Sequence, residues 1–142
     1  MIIPDVNLLI HAYSRGSKVH QQARRWWESE LSRPGAIGLP WVVALGFIRL
    51  TTHRAVMACP LSVQISCQHV RSWLARPQIL ILHPGERHAE FLFGYLEALG
   101  SGGNLTTDAH LAALASEYQA ELQTTDADFA RFPGLKWRNP LK

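Results

Sequence analysis

A chain of 142 residues in which 47% are hydrophobic has enough apolar surface to bury one domain-sized core without disulfide or metal staples. Its 14 Lys and Arg against 11 Asp and Glu give a formal charge of +3 and a pI near 9.2, a mild bias toward anionic partners such as nucleic acid. Cys59 and Cys67 match neither a CxxC pair nor zinc-ligand spacing, no basic region precedes the first apolar residues, and no run is long enough to span a bilayer. These features argue against a secreted disulfide scaffold and a membrane protein, and the expected location is cytoplasmic with reduced thiols.

Ile2-Ile3 reads as a short buried strand broken at Pro4, followed by a helix with Val6, Leu8, Leu9 and Ile10 and with Asp5 in its first turn. Ser17 is the expected cap of a second helix through Leu31, whose polar register surrounds Trp26-Trp27. Ile37-Gly38-Leu39 reads as a strand ended by Pro40, and Trp41 to Leu50 as an apolar helix carrying Arg49. Ser62 should cap a helix to about Ala75, Ile79 to Leu82 has the β-branched character of a buried strand, and Pro84-Gly85-Glu86 opens a helix ending at Gly100. After the loop Ser101-Gly102-Gly103-Asn104, Thr106 or Thr107 caps a helix with Asp108 in its first turn. Glu121 to Thr125 then reads as a strand, Phe129 and Phe132 anchor a turn, and Leu135-Lys136-Trp137 forms a last edge strand before Pro140. Strands alternating with helices predict an α/β domain over residues 1–142, with a mainly parallel central sheet between helical layers.

Asp5, Asp108, Asp126 and Asp128 each fall where a strand ends or a helix begins, the edge at which open α/β sheets assemble their ligand crevices. Singly they have ordinary readings. Asp5 and Asp108 complement helix dipoles, and Asp126 and Asp128 are Asx-turn residues. Together at one edge they repel, since two carboxylates about 4 Å apart cost roughly 4 kcal/mol at an effective dielectric near 20, so a cluster implies protonation or a bound cation. Mg²⁺ suits such a site because it takes one or two carboxylates, keeps several waters and leaves room for phosphate oxygens; Mn²⁺ fits the same hard-oxygen donors. Asn7 either orients Asp5 or satisfies local backbone, and Thr107 and Thr125, each preceding an acid, are candidate hydroxyl donors behind the carboxylates.

Other chemistries find little support. The seven histidines contain no HExxH-type pair, no Ser lies in GxSxG, and no glycine-rich loop matches a P-loop or dinucleotide fingerprint. The five Trp residues read as core and interface anchors rather than base-stacking platforms.

Asp5-x-Asn7, Thr107-Asp108-Ala109 and Thr125-Asp126-x-Asp128-Phe129, in this order and over nearly the whole chain, resemble the PIN-domain proteins, particularly the VapC-type ribonuclease toxins. Leu39 to Leu50 and Phe129 to Leu135 look like one branch of that family. The resemblance implies a three-layer α/β/α fold and a Mg²⁺-dependent endoribonuclease of a type II toxin-antitoxin system. It further implies an RNA substrate of the tRNA or rRNA class, a cognate antitoxin that inhibits it, and a homodimer. Family roles carry over as metal-binding acids to Asp5, Asp108 and Asp126, with Asp128 beside them in the catalytic set. In the mechanism this implies, Asp5 and Asp108 hold the metal and Asp126 positions the attacking water, while Arg15, Lys18, Arg24, Arg25, Arg49 and Arg54 are candidate cations for the substrate backbone. One departure stands out: many members carry a Glu in the helix after the second strand, and here Gly46 falls at that place, with no acid between Glu30 and Glu86. A glycine there either widens the pocket or lets a strand backbone approach closely. Two alternatives remain: a non-catalytic PIN-like binding module, supported by the missing acid, and a haloacid-dehalogenase-type phosphatase, which needs a second Asp where Asn7 stands.

Overall fold

The computed structural model describes all residues, Met1–Lys142. Five strands, β1 (Ile2–Pro4), β2 (Ile37–Pro40), β3 (Ile79–Leu82), β4 (Glu121–Gln123) and β5 (Trp137–Arg138), form one sheet in the order β3-β2-β1-β4-β5, with every pair parallel. The helices are α1 (Val6–Tyr13), α2 (His20–Ser32), α3 (Trp41–Thr51), α4 (Val63–Leu74), α5 (His88–Leu99) and α6 (Thr106–Glu117). From β1 the chain steps outward through β2 to β3, then returns across the sheet to β4. Right-handed crossovers in opposite directions place α1 to α4 on one face and α5 and α6 on the other, giving three layers. No helix is long and apolar enough to cross a membrane.

The core is one cluster of 27 buried residues running through both faces of the sheet. On the α1 to α4 side it is aromatic: the Phe47 and Trp73 rings lie 4.7 Å apart, Trp27 meets Trp73 edge-on at 5.5 Å, and Tyr13 meets Phe47 at 5.3 Å. Such pairs contribute beyond simple area burial because ring edges and faces carry opposite partial charge. On the other side Phe129 and Phe132 anchor the segment after β4, with Tyr95 of α5 edge-on to Phe132. Trp26, Trp27 and Trp73 are thus core anchors as expected, whereas Trp41 is exposed and Trp137 half-buried.

Several boundaries follow the sequence closely. Ser62 caps α4, its hydroxyl accepting the Ile65 N–H at 3.2 Å, and Gly100 closes α5 in a left-handed conformation at φ 67°. Ser62→Ala is expected to cost about 1 kcal/mol, read as a lower urea midpoint with unchanged slope. Other expectations are corrected. Thr106 and Thr107 lie inside α6 rather than capping it: a 3₁₀ turn over Gly103–Leu105 leads straight into the helix, and the N-cap position is held by Leu105 without a side-chain bond. Ser17 does not cap α2, which starts at His20 after Val19, but its hydroxyl accepts the Val19 N–H and bonds His11 Nδ1 at 2.8 Å, pinning the α1–α2 loop. β3 is an edge strand, so Leu80 and Ile81 stand exposed where the composition predicts burial. β4 ends at Gln123, leaving Thr124 and Thr125 beyond it.

One buried polar chain corresponds to no motif in the sequence. His88 bonds Glu117 at 2.7 Å through Nδ1 and His110 at 2.9 Å through Nε2, and Glu117 also accepts the Gly85 N–H. It ties the start of α5 to both ends of the α6 face. Burial, followed by the neighbouring His88, holds the His110 pKa below its ordinary value, with Glu117 opposing.

Candidate active site

The order of the sheet reverses between β1 and β4, so the chain leaves these two adjacent strands toward opposite faces and opens a crevice at their carboxyl ends. Pro4 pairs with Gln123, and the Asp5 N–H donates to the Gln123 carbonyl at 2.8 Å, which sets Asp5 and Thr124 side by side at the mouth of that crevice. Asp5 is the N-cap of α1, its Oδ1 accepting the Val6 N–H at 2.7 Å. Its other oxygen accepts the hydroxyl of Thr124, also at 2.7 Å.

Thr124, fully buried, is the hub. Besides donating to Asp5 it accepts the Asp126 N–H at 3.0 Å and the Asn7 amide at 3.4 Å. The sequence pattern points to Thr125, one residue late, and Thr125 makes no hydrogen bond to an acid; neither does the exposed Thr107. The signal that could have found Thr124 is the hydrogen-bonding need of Asp5 across the β1/β4 pair. Asn7 makes no bond to Asp5 itself and reaches the acids only through Thr124, and its Oδ1 is buried with no partner. Asp126 caps the 3₁₀ segment Ala127–Arg131 by accepting the Asp128 N–H at 2.9 Å, the Asx-turn role expected of it, while Asp128 itself is exposed.

Asp108 enters from the first turn of α6. Its carboxyl is pushed up to about 6, first by burial and then by the charges of Asp5, Asp126 and Asp128. Asp5 is raised as well, chiefly by burial and further by Asp126, against the lowering hydrogen bonds from Thr124 and Val6. None of the four is paired with a Lys, Arg or His. Concentrated, unpaired negative charge of this kind calls for a cation. No three His, Cys, Asp or Glu side chains converge closely enough to cage an ion by themselves. Carboxylates are hard-oxygen donors, of which a divalent ion that keeps most of its ligands as water takes only one or two.

Helix α3 brings no acid to the crevice. Gly46 lies against α1, where an added Cβ would meet Val6 Cγ2 at 3.2 Å, so its close neighbour is a helix side chain and not a strand backbone. That contact sits one residue from Asp5 and fixes the start of α1.

The sequence matches the family described as PIN domain over residues 2–135. Ribonuclease VapC33 of Mycobacterium tuberculosis is 42% identical over 142 residues, covering 100% of this chain and 99% of the relative. Ribonuclease VapC37 of the same organism is 39% identical, covering 99% and 97%. Among solved structures, VapBC2 from Rickettsia felis bound to a promoter DNA fragment superposes with a TM-score of 0.71 at 17% identity, covering 98% of each chain. VapC20 of Mycobacterium tuberculosis, a toxin that cleaves the Sarcin-Ricin loop, gives 0.67 at 18% identity, covering 92% of this chain and 93% of that one. These structures share the fold.

Proposed function

The chain belongs to the PIN-domain family, in the branch of the VapC ribonucleases, and from that premise we propose that it is a divalent-metal-dependent endoribonuclease toxin restrained by a cognate antitoxin. The observation that carries the reading is the gathering of Asp5, Asp126 and Asp128 around Asp108 at the β1/β4 crevice, none of the four with a cationic partner. Asp5 and Asp108 would hold Mg²⁺ or Mn²⁺, with Asp126 beside them rather than as a third direct ligand, and the ion would neutralise charge developing on the scissile phosphate.

The protein's own groups prepare the rest. Thr124 donates to one Asp5 oxygen and keeps that carboxylate turned into the crevice, while the α1 N-terminus favours its ionised form. Asp126 has one oxygen committed to the Asp128 N–H, which leaves the other to orient and deprotonate the attacking water. Asp128, exposed beside it, adds negative charge at the rim. RNA of the tRNA or rRNA class is the proposed substrate, and the homodimer and the antitoxin follow from the family.

The test is incubation of antitoxin-free protein with a mixed tRNA and rRNA pool, with Mg²⁺ and with EDTA. Cutting that needs the metal supports the reading; cutting indifferent to EDTA removes it. A non-catalytic binding module is favoured by one observation, the absence of any acid from α3, and folded protein that binds no Mn²⁺ would establish it. The haloacid-dehalogenase alternative lacks its second Asp, since the amide of Asn7 stands there, turned to Thr124.

Thr124→Val keeps the side-chain volume and removes the hub. Metal affinity is expected to fall about 10–100-fold, the usual penalty for losing a group that orients a ligand, measured by Mn²⁺ titration. Unchanged affinity would show that Asp5 needs no such support.

A further inference from the structure

Asp108 differs from its neighbours in what holds it. The Asp5 carboxylate accepts the Val6 N–H and the Thr124 hydroxyl, and that of Asp126 accepts the Asp128 N–H. The Asp108 carboxyl has no hydrogen bond, and three other carboxylates act on it. Repulsion of that kind pushes it out of the crevice, so its place depends on how firmly α6 is set. The helix does little for itself at that end. Its N-cap position is Leu105, without a side-chain bond, Thr106 and Thr107 are exposed, and the chain enters through Gly102-Gly103, the second at φ 57°. On the buried side it presents Ala109, Ala112 and Ala113, whose methyl groups allow close packing but whose burial is non-directional. A hydrogen bond, by contrast, resists both sliding and turning of the helix.

Such a bond is made by His110, two residues beyond Asp108. His88 Nε2 lies 2.9 Å from His110 Nδ1, and His88 Nδ1 lies 2.7 Å from Glu117 Oε1. An ionised carboxylate only accepts, so His88 donates through Nδ1. With both rings neutral its Nε2 is then an acceptor, and His110 is the donor through Nδ1. The order of donors and acceptors is fixed from Glu117 outward. The far end is anchored as well. Glu117 Oε2 accepts the Gly85 N–H at 3.0 Å, so close to residue 85 that an added Cβ there would stand 2.7 Å from that oxygen. His88 is 8% exposed, which keeps water from competing for its two bonds. The other side-chain bond between α5 and α6, Tyr95 Oη to Ser116 Oγ at 2.7 Å, sits at the opposite end of α6 from Asp108.

We infer that the Glu117–His88–His110 chain is a brace that positions Asp108, holding the first turns of α6 against the start of α5 and so keeping the carboxyl at the crevice. The inference rests on the ribonuclease reading for what Asp108 does there. It makes His110, His88 and Glu117 positioning residues that act through the helix.

The test is Mn²⁺ titration at pH 8, with amide hydrogen exchange of the same proteins read in EDTA. His110→Ala removes the donor and is expected to bind Mn²⁺ about tenfold more weakly, the lower end of the usual penalty for losing a group that orients a ligand from behind. Protection over residues 110–113 should fall severalfold with it. His110→Asn keeps an N–H where Nδ1 stands and should stay within about twofold of the parent in both readings. The control, Ser116→Ala, breaks the other bond between the two helices. It should lower the melting temperature while leaving Mn²⁺ affinity and the exchange of residues 110–113 as they were. Thermal melts show whether His110→Ala is folded; if it is not, His88→Asn, which keeps the bond to Glu117 and drops the one to His110, takes its place. Parent-like Mn²⁺ affinity in the folded variant overturns the inference. So does an equal loss in Ser116→Ala, which would mean general loosening of the helix pair, or in His110→Asn, where the bond remains. A parent protein that binds no Mn²⁺ fails the ribonuclease reading instead, and the exchange arm then decides the brace alone.

Discussion

Asp108→Asn is expected to lose at least about a thousandfold in RNA cleavage while melting at a higher temperature than the parent protein in EDTA at pH 8. The first effect follows from the proposed role of this carboxylate in holding the metal: each 1.36 kcal/mol of lost transition-state stabilisation is tenfold in rate, and metal stabilisation of phosphate charge is worth several. The second follows from the cluster. Asp108 titrates at about 6 because burial and three neighbouring carboxylates disfavour its charge, so above that pH its ionisation works against the fold. The neutral amide has nearly the same shape and no such penalty. Because Asp108 is only partly shielded from water, the gain is discounted to about 1 kcal/mol, which corresponds to roughly 2–4 °C for a chain of this size. Asp5→Asn should match the loss of cleavage. A variant that loses cleavage through misfolding would melt lower, so the two readouts together separate chemistry from damage.

Mg²⁺ is expected to raise the melting temperature at pH 8 and to do almost nothing at pH 5. Asp108 has a folded pKa raised above its unfolded value, so the metal-free fold is more stable when this group is protonated, and that advantage drains away as pH rises from about 4 through about 6. Above this window the carboxylate is free to bind metal; below it a proton occupies the same oxygen. At tenfold excess over Kd, binding adds about 1.4 kcal/mol, or roughly 3–5 °C. His11, His69 and His110, whose pKa values are lowered chiefly by burial, titrate with the opposite sign, each favouring the fold as pH rises through the His range. Subtracting the Asp108→Asn curve from that of the parent isolates the aspartate. A metal-induced shift of equal size at pH 5 and pH 8 would place the ion elsewhere.

Much of the site is legible in the sequence because its acids sit at punctuation points. Ile2-Ile3-Pro4 announces a strand end, so Asp5 has one place to be, and the loop before α6 does the same for Asp108. What is not legible depends on single-residue register or on contacts between distant segments. Thr124 and Thr125 differ by one position past β4, and only pairing with β1 determines which of them faces Asp5. The run Ile79–Leu82 looks buried by composition, yet its place at the sheet edge exposes its middle, because neighbour order is a property of topology and not of local pattern. His88, His110 and Glu117 meet across 22 and 29 residues and carry no shared motif. Gly46 is visible as a missing acid, but its contact with Val6 belongs to the packing of α3 on α1.

The bond that completes the crevice joins residues 119 positions apart, from Asp5 to Thr124. During synthesis the first acid therefore leaves the ribosome early and waits without its partner while almost all of the remaining domain is translated. Contacts of such long sequence separation form late, since the intervening chain must be ordered first. A fragment that ends before Glu121 has β1, β2 and β3 with all six helices but no β4, no switch point and no organised crevice. The position of one strand in the sequence thus delays assembly of the acidic crevice until nearly the whole domain has emerged.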